Sequence, residues 1–398
     1  MGMSASLKET EKRTYRWLVL IVCLFASVSA IFSYYKLAPV NSSLIEEFSI
    51  SSTSAGLLIA SVAASIILLS TPAGALVAKY GPKRICILAF AFSVIGTFIG
   101  VNASNFETLL LGRLVEGGGM TLIITAAPVF ILQWFPPQET GIALGAWKVF
   151  FSFGTLLALN LCAEIGSTYG WRAVWWTGII FSLAMCLLIM FTKEAKQEAS
   201  FEKISKKDSS SHSVFTDLNI WLVASALVSS GVPLVAFLTW GVTYLNTARE
   251  LSMSYASYVV SLCSAGGILG SIVGGIISDK IQSRKKVYLP ALVFCLFLYL
   301  LLPVATLLFL PFVLFALGCV FNLGSSPIIA CVSDLCGERQ VGLGMGIVTI
   351  SNGAILFFGP LTFGLLYSIM ESWNSTLNLL ALFYIMAIIF GLLARNVK

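Results

Sequence analysis

Charge is what this sequence lacks. Only 11% of its 398 residues are Asp, Glu, Lys or Arg, against 58% hydrophobic residues and a mean hydropathy of +0.93, where a soluble domain carries about 25% charged residues. A water-soluble fold of this length covers its surface with charge that is missing here, which excludes a soluble enzyme, a nucleic-acid binder and a secreted scaffold. Histidine is nearly absent. The one copy, His212, lies in a Ser/Lys-rich stretch, so a histidine-based catalytic or zinc site is excluded too. The nine cysteines sit almost wholly inside apolar runs with no CxxC pair, and read as small hydrophobes, not as disulfides or metal ligands. There is also no GxxxxGK[ST] phosphate loop, which disfavours ATP-driven work. No metal and no cofactor is expected.

What is abundant is the long apolar run. About 20 residues cross the roughly 30 Å of bilayer hydrocarbon, and twelve such runs are present: 17–40, 54–78, 85–101, 106–133, 139–163, 171–192, 218–245, 255–279, 287–307, 311–334, 341–369 and 374–394. The first follows Lys8, Lys12, Arg13 and Arg16 as in a signal peptide, but it is too long and lacks a small-residue cleavage site. The expectation is an all-α membrane protein of twelve transmembrane helices with the lipid bilayer as its main partner.

Lys and Arg fix the orientation, because basic loops stay in the cytoplasm. Nineteen of the 24 fall in alternate loops and the two terminal segments, while Glu46, Glu47, Glu164, Glu250 and Glu371 fall on the other side. Both termini are therefore expected in the cytoplasm, in what reads as a bacterial cytoplasmic membrane. The net charge of +6 is then a topology signal, which removes the case for a nucleic-acid partner.

The only long polar stretch, 193–217, divides the chain into halves 1–192 and 218–398. Across it, Pro128 and Pro327, Glu139 and Glu338, Gly145 and Gly344, and Gly154 and Gly353 repeat at 199 residues, and Gly74 and Gly275 at 201. Two pseudo-symmetric six-helix halves follow. Between helices 2 and 3, Gly74, Lys79, Gly81, Lys83 and Arg84 resemble the loop signature of the major facilitator superfamily (MFS), with Ala78 in place of the family's Asp. The second copy, Gly275, Asp279, Lys280, Arg284 and Lys285, keeps the Asp but has Gln282 for the later Gly. Arg113 followed by Gly117 and Gly119 resembles the family's helix-4 signature. The resemblance implies a transporter that works by alternating access around a midplane site, with these loops gating the cytoplasmic side.

Away from the ends of the predicted helices, four charges remain inside them. Counted from residue 106, Arg113 lies about 10 Å and Glu116 about 15 Å deep. A charge costs at least ~2.5–3.5 kcal/mol at a helix centre unless it meets a partner or a cavity. The two are spaced i,i+3 and can pair. Lys148 lies about 14 Å into helix 5, too deep to reach the interface. Lys36, beside Tyr34 and Tyr35, reads equally as a snorkelling anchor or a ligand. The second-half positions 199 residues on from Arg113, Glu116 and Lys148 are Phe312, Phe315 and Ile347, so the ionisable chemistry is one-sided, which favours function over scaffold.

Three basic groups against one carboxylate favour an anionic cargo. Glu116 is the candidate proton carrier, Arg113, Lys148 and Lys36 the candidate charge partners, and Asn322, Asn352 and Trp240 neutral candidates that helix packing explains equally well. The reading is a secondary transporter, not an enzyme, that moves a small organic or inorganic anion by proton-coupled symport or by exchange, as a monomer. The stretch from Arg113 to Trp176 resembles the cyanate/nitrate-related bacterial branch. A proton-coupled drug exporter is the alternative, although helix 5 lacks the Gly-Pro signature of that group. A non-transporting receptor on the same fold needs no buried charge.

Overall fold

The structure is a computed structural model that describes residues 2–136, 139–194, 217–281 and 283–395. Thirteen helices account for nearly all of them: α1 (Gly2–Tyr35), α2 (Leu37–Phe48), α3 (Ser52–Tyr80), α4 (Pro82–Val101), α5 (Phe106–Leu132), α6 (Thr140–Trp147), α7 (Phe150–Tyr169), α8 (Trp171–Phe191), α9 (Leu218–Ala248), α10 (Met253–Ile281), α11 (Arg284–Leu301), α12 (Leu310–Met370) and α13 (Trp373–Leu393). Local chemistry sets the ends. Ser51, Asn105, Asp217 and Ser372 accept hydrogen bonds from backbone N–H groups in the first turns of α3, α5, α9 and α13, as N-caps do. Single glycines turn the chain between α3 and α4 and between α7 and α8. Gly81 and Gly170 sit at φ +85° and +80°, where a Cβ would be strained.

Two predicted helices are interrupted. The first crossing, Thr14–Phe48, is α1 and α2 joined at Lys36, and the fifth, Ile142–Tyr169, is α6 and α7 joined at Lys148 and Val149. Among the described residues, eleven stretches are long and apolar enough to cross a membrane. α11 makes the twelfth crossing with Arg284, Lys285 and Lys286 at its start. It stops at Leu301, short of the expected 307, because Pro303 follows.

The expected loop between helices 10 and 11 is absent, since helical backbone runs unbroken through α12 for 61 residues. That is about 90 Å at 1.5 Å per residue, far beyond one bilayer. Its two spans are Leu310–Val332 and Gly346–Met370, and Pro303 and Glu371 line one pocket, so α12 folds back on itself. The polar segment between the spans holds no proline to remove a backbone donor, and its three glycines, Gly337, Gly342 and Gly344, permit the bend.

The start of α1 and the end of α13 lie at one end of the bundle, where Tyr15 meets Lys193 and Arg395 meets Asn219. There, Lys83 Nζ donates to the carbonyls of Met190 (3.0 Å) and Thr192 (2.6 Å) at the end of α8. Lys285 Nζ does the same to Leu392 (2.7 Å) and Ala394 (2.7 Å) at the end of α13. All three residues in each set are 202 apart, and an ammonium on exposed C-terminal carbonyls also suits the helix dipole. The 199-residue register does not extend to the start of helix 4. Phe312 and Phe315 are 70% and 37% exposed, whereas Arg113 and Glu116 are 0% and 1% exposed, so those pairs are not equivalent. The one-sidedness stands nonetheless, because the span Leu310–Val332 carries no Asp, Glu, Lys or Arg.

α3 packs on the second span of α12, α7 on α10, and α2 on α9. At the end away from the termini these contacts close. The Thr53 hydroxyl donates to Ser368 (3.0 Å) and the Ser254 hydroxyl to Glu164 (3.0 Å). A Cβ on Gly56 would stand 2.6 Å from the Pro360 carbonyl oxygen. At the end with the termini, a Cβ built on Gly74, Gly145 or Gly346 would meet no described atom within 4 Å beyond its own helix backbone.

Gly56→Ala should therefore force the sealed backbones apart. Overpacking of about 1–3 kcal/mol corresponds to roughly tenfold or more in the opening equilibrium. Amide exchange over residues 52–60 and 356–368 is expected to rise by that factor; wild-type rates there would show that the two backbones do not touch in solution.

Candidate functional site

Three of the four embedded charges meet in the first half. The break after Tyr35 leaves the last carbonyls of α1 without their helical donors, because a helix end exposes up to four of them. Pro39, four residues beyond Tyr35, has no N–H to offer. Arg113 on α5 supplies replacements: Nη1 donates to the Ser33 carbonyl (2.7 Å) and Nη2 to the Tyr34 carbonyl (3.1 Å), while Nε donates to the Leu58 carbonyl within α3 (3.4 Å). Nη1 also reaches Glu116 Oε2 at 2.6 Å, the i,i+3 pair the sequence suggests. Ser33 Oγ donates to that oxygen at 3.1 Å.

Lys36 completes the cluster. Its Nζ lies 2.7 Å from Glu116 Oε1, 3.5 Å from Thr97 Oγ1 and 4.8 Å from the centre of the Trp175 ring, a favourable cation–π distance. It does not snorkel: like Arg113 it is fully buried, and Glu116 is 1% exposed. The kink turns its side chain inward, toward α4, α5 and α8. The group carries two cations and one carboxylate, a net formal charge of +1, and satisfies its polar atoms with backbone carbonyls, hydroxyls and a ring face.

Glycine explains how these helices approach so closely. A Cβ on Gly96 would lie 2.6 Å from the Gly112 carbonyl oxygen, and one on Gly112 2.7 Å from that of Gly96, so α4 and α5 cross backbone on backbone. That crossing holds Thr97 beside Glu116.

Lys148 is not in the cluster. It is exposed, at the joint between α6 and α7. Asn322 is half-buried and donates to the Gly318 carbonyl (3.0 Å), beside Gly267 on α10 and Ser152 on α7. Asn352 is exposed on α12. Trp240 is buried in the sealed half, with its indole N–H on the Pro360 carbonyl (3.0 Å) and its ring stacked on Phe363 at 5.3 Å.

Of the gating residues, Gly81 makes the tight turn, Lys83 caps α8, and Lys79 lies over the Tyr80 ring at 5.1 Å. Gly74 faces open space, Arg84 is exposed and Arg284 half-buried. Gly275, Asp279, Lys280 and Gln282, with most of the 193–217 linker, lie outside the residues whose side chains are described. Ser33, Tyr34 and Thr97 are participants the sequence reading missed. No charge marked them, and the only signal was the adjacency of Ser33 and Tyr34 to Lys36.

Similar proteins carry transporter names. A protein of Cupriavidus necator described as "Probable sulfoacetate transporter" is 24% identical over 254 residues, 60% of this chain and 59% of its own length, so this chain spans about three fifths of that relative. The "Sialic acid transporter" of Escherichia coli (strain K12) is 24% identical over 328 residues, 71% of this chain and 78% of its own length. A bacterial homologue of the human lysosomal transporter Spinster, solved in an inward-facing and occupied conformation, superposes with a TM-score of 0.82 at 16% identity over 96% of this chain and 97% of that one. At that identity the likeness speaks for the fold. The sequence profile of the Major Facilitator Superfamily matches residues 23–360, most of the chain and both halves, and the chain belongs to that family of multi-pass membrane transporters, which are not enzymes.

Proposed function

We propose that this chain carries a small organic anion across the membrane by alternating access, with a proton as the coupled ion and Glu116 as its site. One observation carries the reading. Two cations converge on a single carboxylate, all three buried, inside a bundle whose halves are hydrogen-bonded together at one end. In this conformation Glu116 sits where a cargo carboxylate or sulfonate would bind, between Lys36 and Arg113. Protonation of Glu116 frees both cations for the cargo, and loss of the proton returns the internal carboxylate and releases it. Proton and cargo then favour the same state, which is the differential binding that coupling requires.

Lys148 supports an open aqueous path. An exposed ammonium about 12 Å along α6 and α7 from Thr140 is tolerated at that depth only where water reaches it, and there it draws anions toward the cluster. Asn322 and Asn352 add neutral donors from the second half. The sulfoacetate and sialic acid named for the two relatives are both organic acids. Positive residues at the end with the termini support a cytoplasmic side for that end, and in this reading the Gly74–Arg84 loop and its second-half copy close it in the alternate state. Nothing in the cluster needs a second copy of the chain.

The test uses the full-length protein in proteoliposomes. Uptake of labelled sulfoacetate or sialic acid, faster when the outside is acidic, is the expected result. Transport of lipophilic cations with no flux of either acid would overturn the reading.

A further inference from the structure

Tyr34 has one polar atom in the ion cluster and the other in the seal. Its carbonyl accepts from Arg113 Nη2 at 3.1 Å, and the same guanidinium holds Glu116. Its side chain runs the other way, fully buried, and the hydroxyl donates to the Leu356 carbonyl at 2.6 Å. Leu356 belongs to the second half, on the part of α12 that packs against α3.

That acceptor exists because of a proline. In an uninterrupted helix the Leu356 carbonyl would take the N–H of residue 360, but residue 360 is Pro360 and has none. A bare carbonyl in a membrane interior is costly unless something donates to it, and Tyr34 does so from across the interface. Pro360 also lies at a close approach in the seal, since its own carbonyl accepts from Trp240 (3.0 Å) and stands over Gly56.

Tyr34 lies two residues before the break at Lys36, where the backbone direction is set by Arg113 capping the carbonyls of Ser33 and Tyr34. A change in how Glu116 shares its oxygens would move the guanidinium, and with it the backbone at 33–34 that carries the hydroxyl. The path runs from Glu116 through Arg113 to Tyr34, each in direct contact with the next.

We propose that Tyr34 is a positioning residue that latches the sealed end to the ion cluster, so that the state of the Lys36–Glu116–Arg113 group governs opening of the end away from the termini. The proposal rests on the alternating-access reading, but its test reads conformation and not flux, so the two fail separately. The chain could move neither acid and still show the latch.

The experiment is hydrogen exchange followed by mass spectrometry on the full-length protein in lipid nanodiscs. Tyr34→Phe keeps the ring and removes the donor, and is expected to speed exchange over residues 353–370 about fivefold, the factor for one neutral hydrogen bond of roughly 1 kcal/mol. Pro360→Ala gives the Leu356 carbonyl a helical donor and should act in the same direction. If the two changes break one bond, the double variant exceeds the larger single by less than about twofold, since coupled sites are non-additive. Lys36→Met, which disturbs the cluster alone, should alter exchange over 353–370 with Tyr34 present and leave it unaltered in Tyr34→Phe. Thr53→Val removes an exposed rim bond to Ser368 and should change exchange there less than twofold, as surface contacts do. Wild-type exchange in Tyr34→Phe, additivity with Pro360→Ala, or an equal response to Lys36→Met in both backgrounds overturns the latch.

Discussion

Glu116→Gln is expected to cost about 3–5 kcal/mol of stability, the range for removing one partner of a buried ion pair, and adding Lys36→Met is expected to recover much of that loss. The order follows from the charge count. Glu116 gives one oxygen to Lys36 and the other to Arg113. Without it, two cations face each other in the bilayer core with only carbonyls, a hydroxyl and a ring between them. Lys36→Met then removes one cation, fills its volume with a flexible apolar chain, and leaves Arg113 on the carbonyls of Ser33, Tyr34 and Leu58. Lys36→Met alone should be mild, because Arg113 and Glu116 remain a one-to-one pair. Thermal unfolding of the purified full-length variants gives the ranking directly. A double variant less stable than Glu116→Gln would show that Lys36 stabilises the fold without regard to its counter-charge.

Which of these features the sequence exposes depends on how far apart the partners lie along it. Apolar run length finds the crossings, because every backbone group in lipid must be satisfied within its own helix and the bilayer sets the length. The Arg113 and Glu116 contact is local, one turn of α5, and spacing finds it. Lys36 and Glu116 are 80 residues apart. The sequence shows Glu116 as an embedded charge and leaves Lys36 open between a snorkelling anchor and a ligand; it cannot show that the α1–α2 break aims one at the other. Trp240 and Pro360 each stand out as a residue type, yet their bond spans 120 residues. The unbroken α12 misleads for another reason: polar residues between apolar runs signal a loop, but polarity alone removes no backbone donor. Helix 4 is misaligned across the repeat because Lys83 and Lys285 keep a register of 202 while the downstream glycines and prolines keep 199, a drift that only the structure reveals.

Arg113→Lys tests whether the site needs a charge or a fork. The guanidinium uses Nη1 twice, Nη2 once and Nε once, on three carbonyls and one carboxylate. These acceptors lie on α1, α3 and α5, so a single planar group ties three helices at the kink. A lysine keeps the charge but concentrates three donors on one atom with a different reach and no planar fork. It can follow Glu116 or the kink carbonyls, and each abandoned bond to a charged donor is worth about 1.5–3 kcal/mol. Organic-acid uptake is therefore expected to fall by roughly tenfold to a hundredfold, with faster amide exchange from Leu37 to Asn41 where the freed carbonyls loosen the start of α2. The two readouts belong together. Lost uptake with normal exchange would place Arg113 on the cargo alone, whereas wild-type uptake by Arg113→Lys would mean that a point charge suffices and the capped break is scaffold. Both readouts moving together is the result the geometry predicts, because the group that balances Glu116 is also the group that holds the kink.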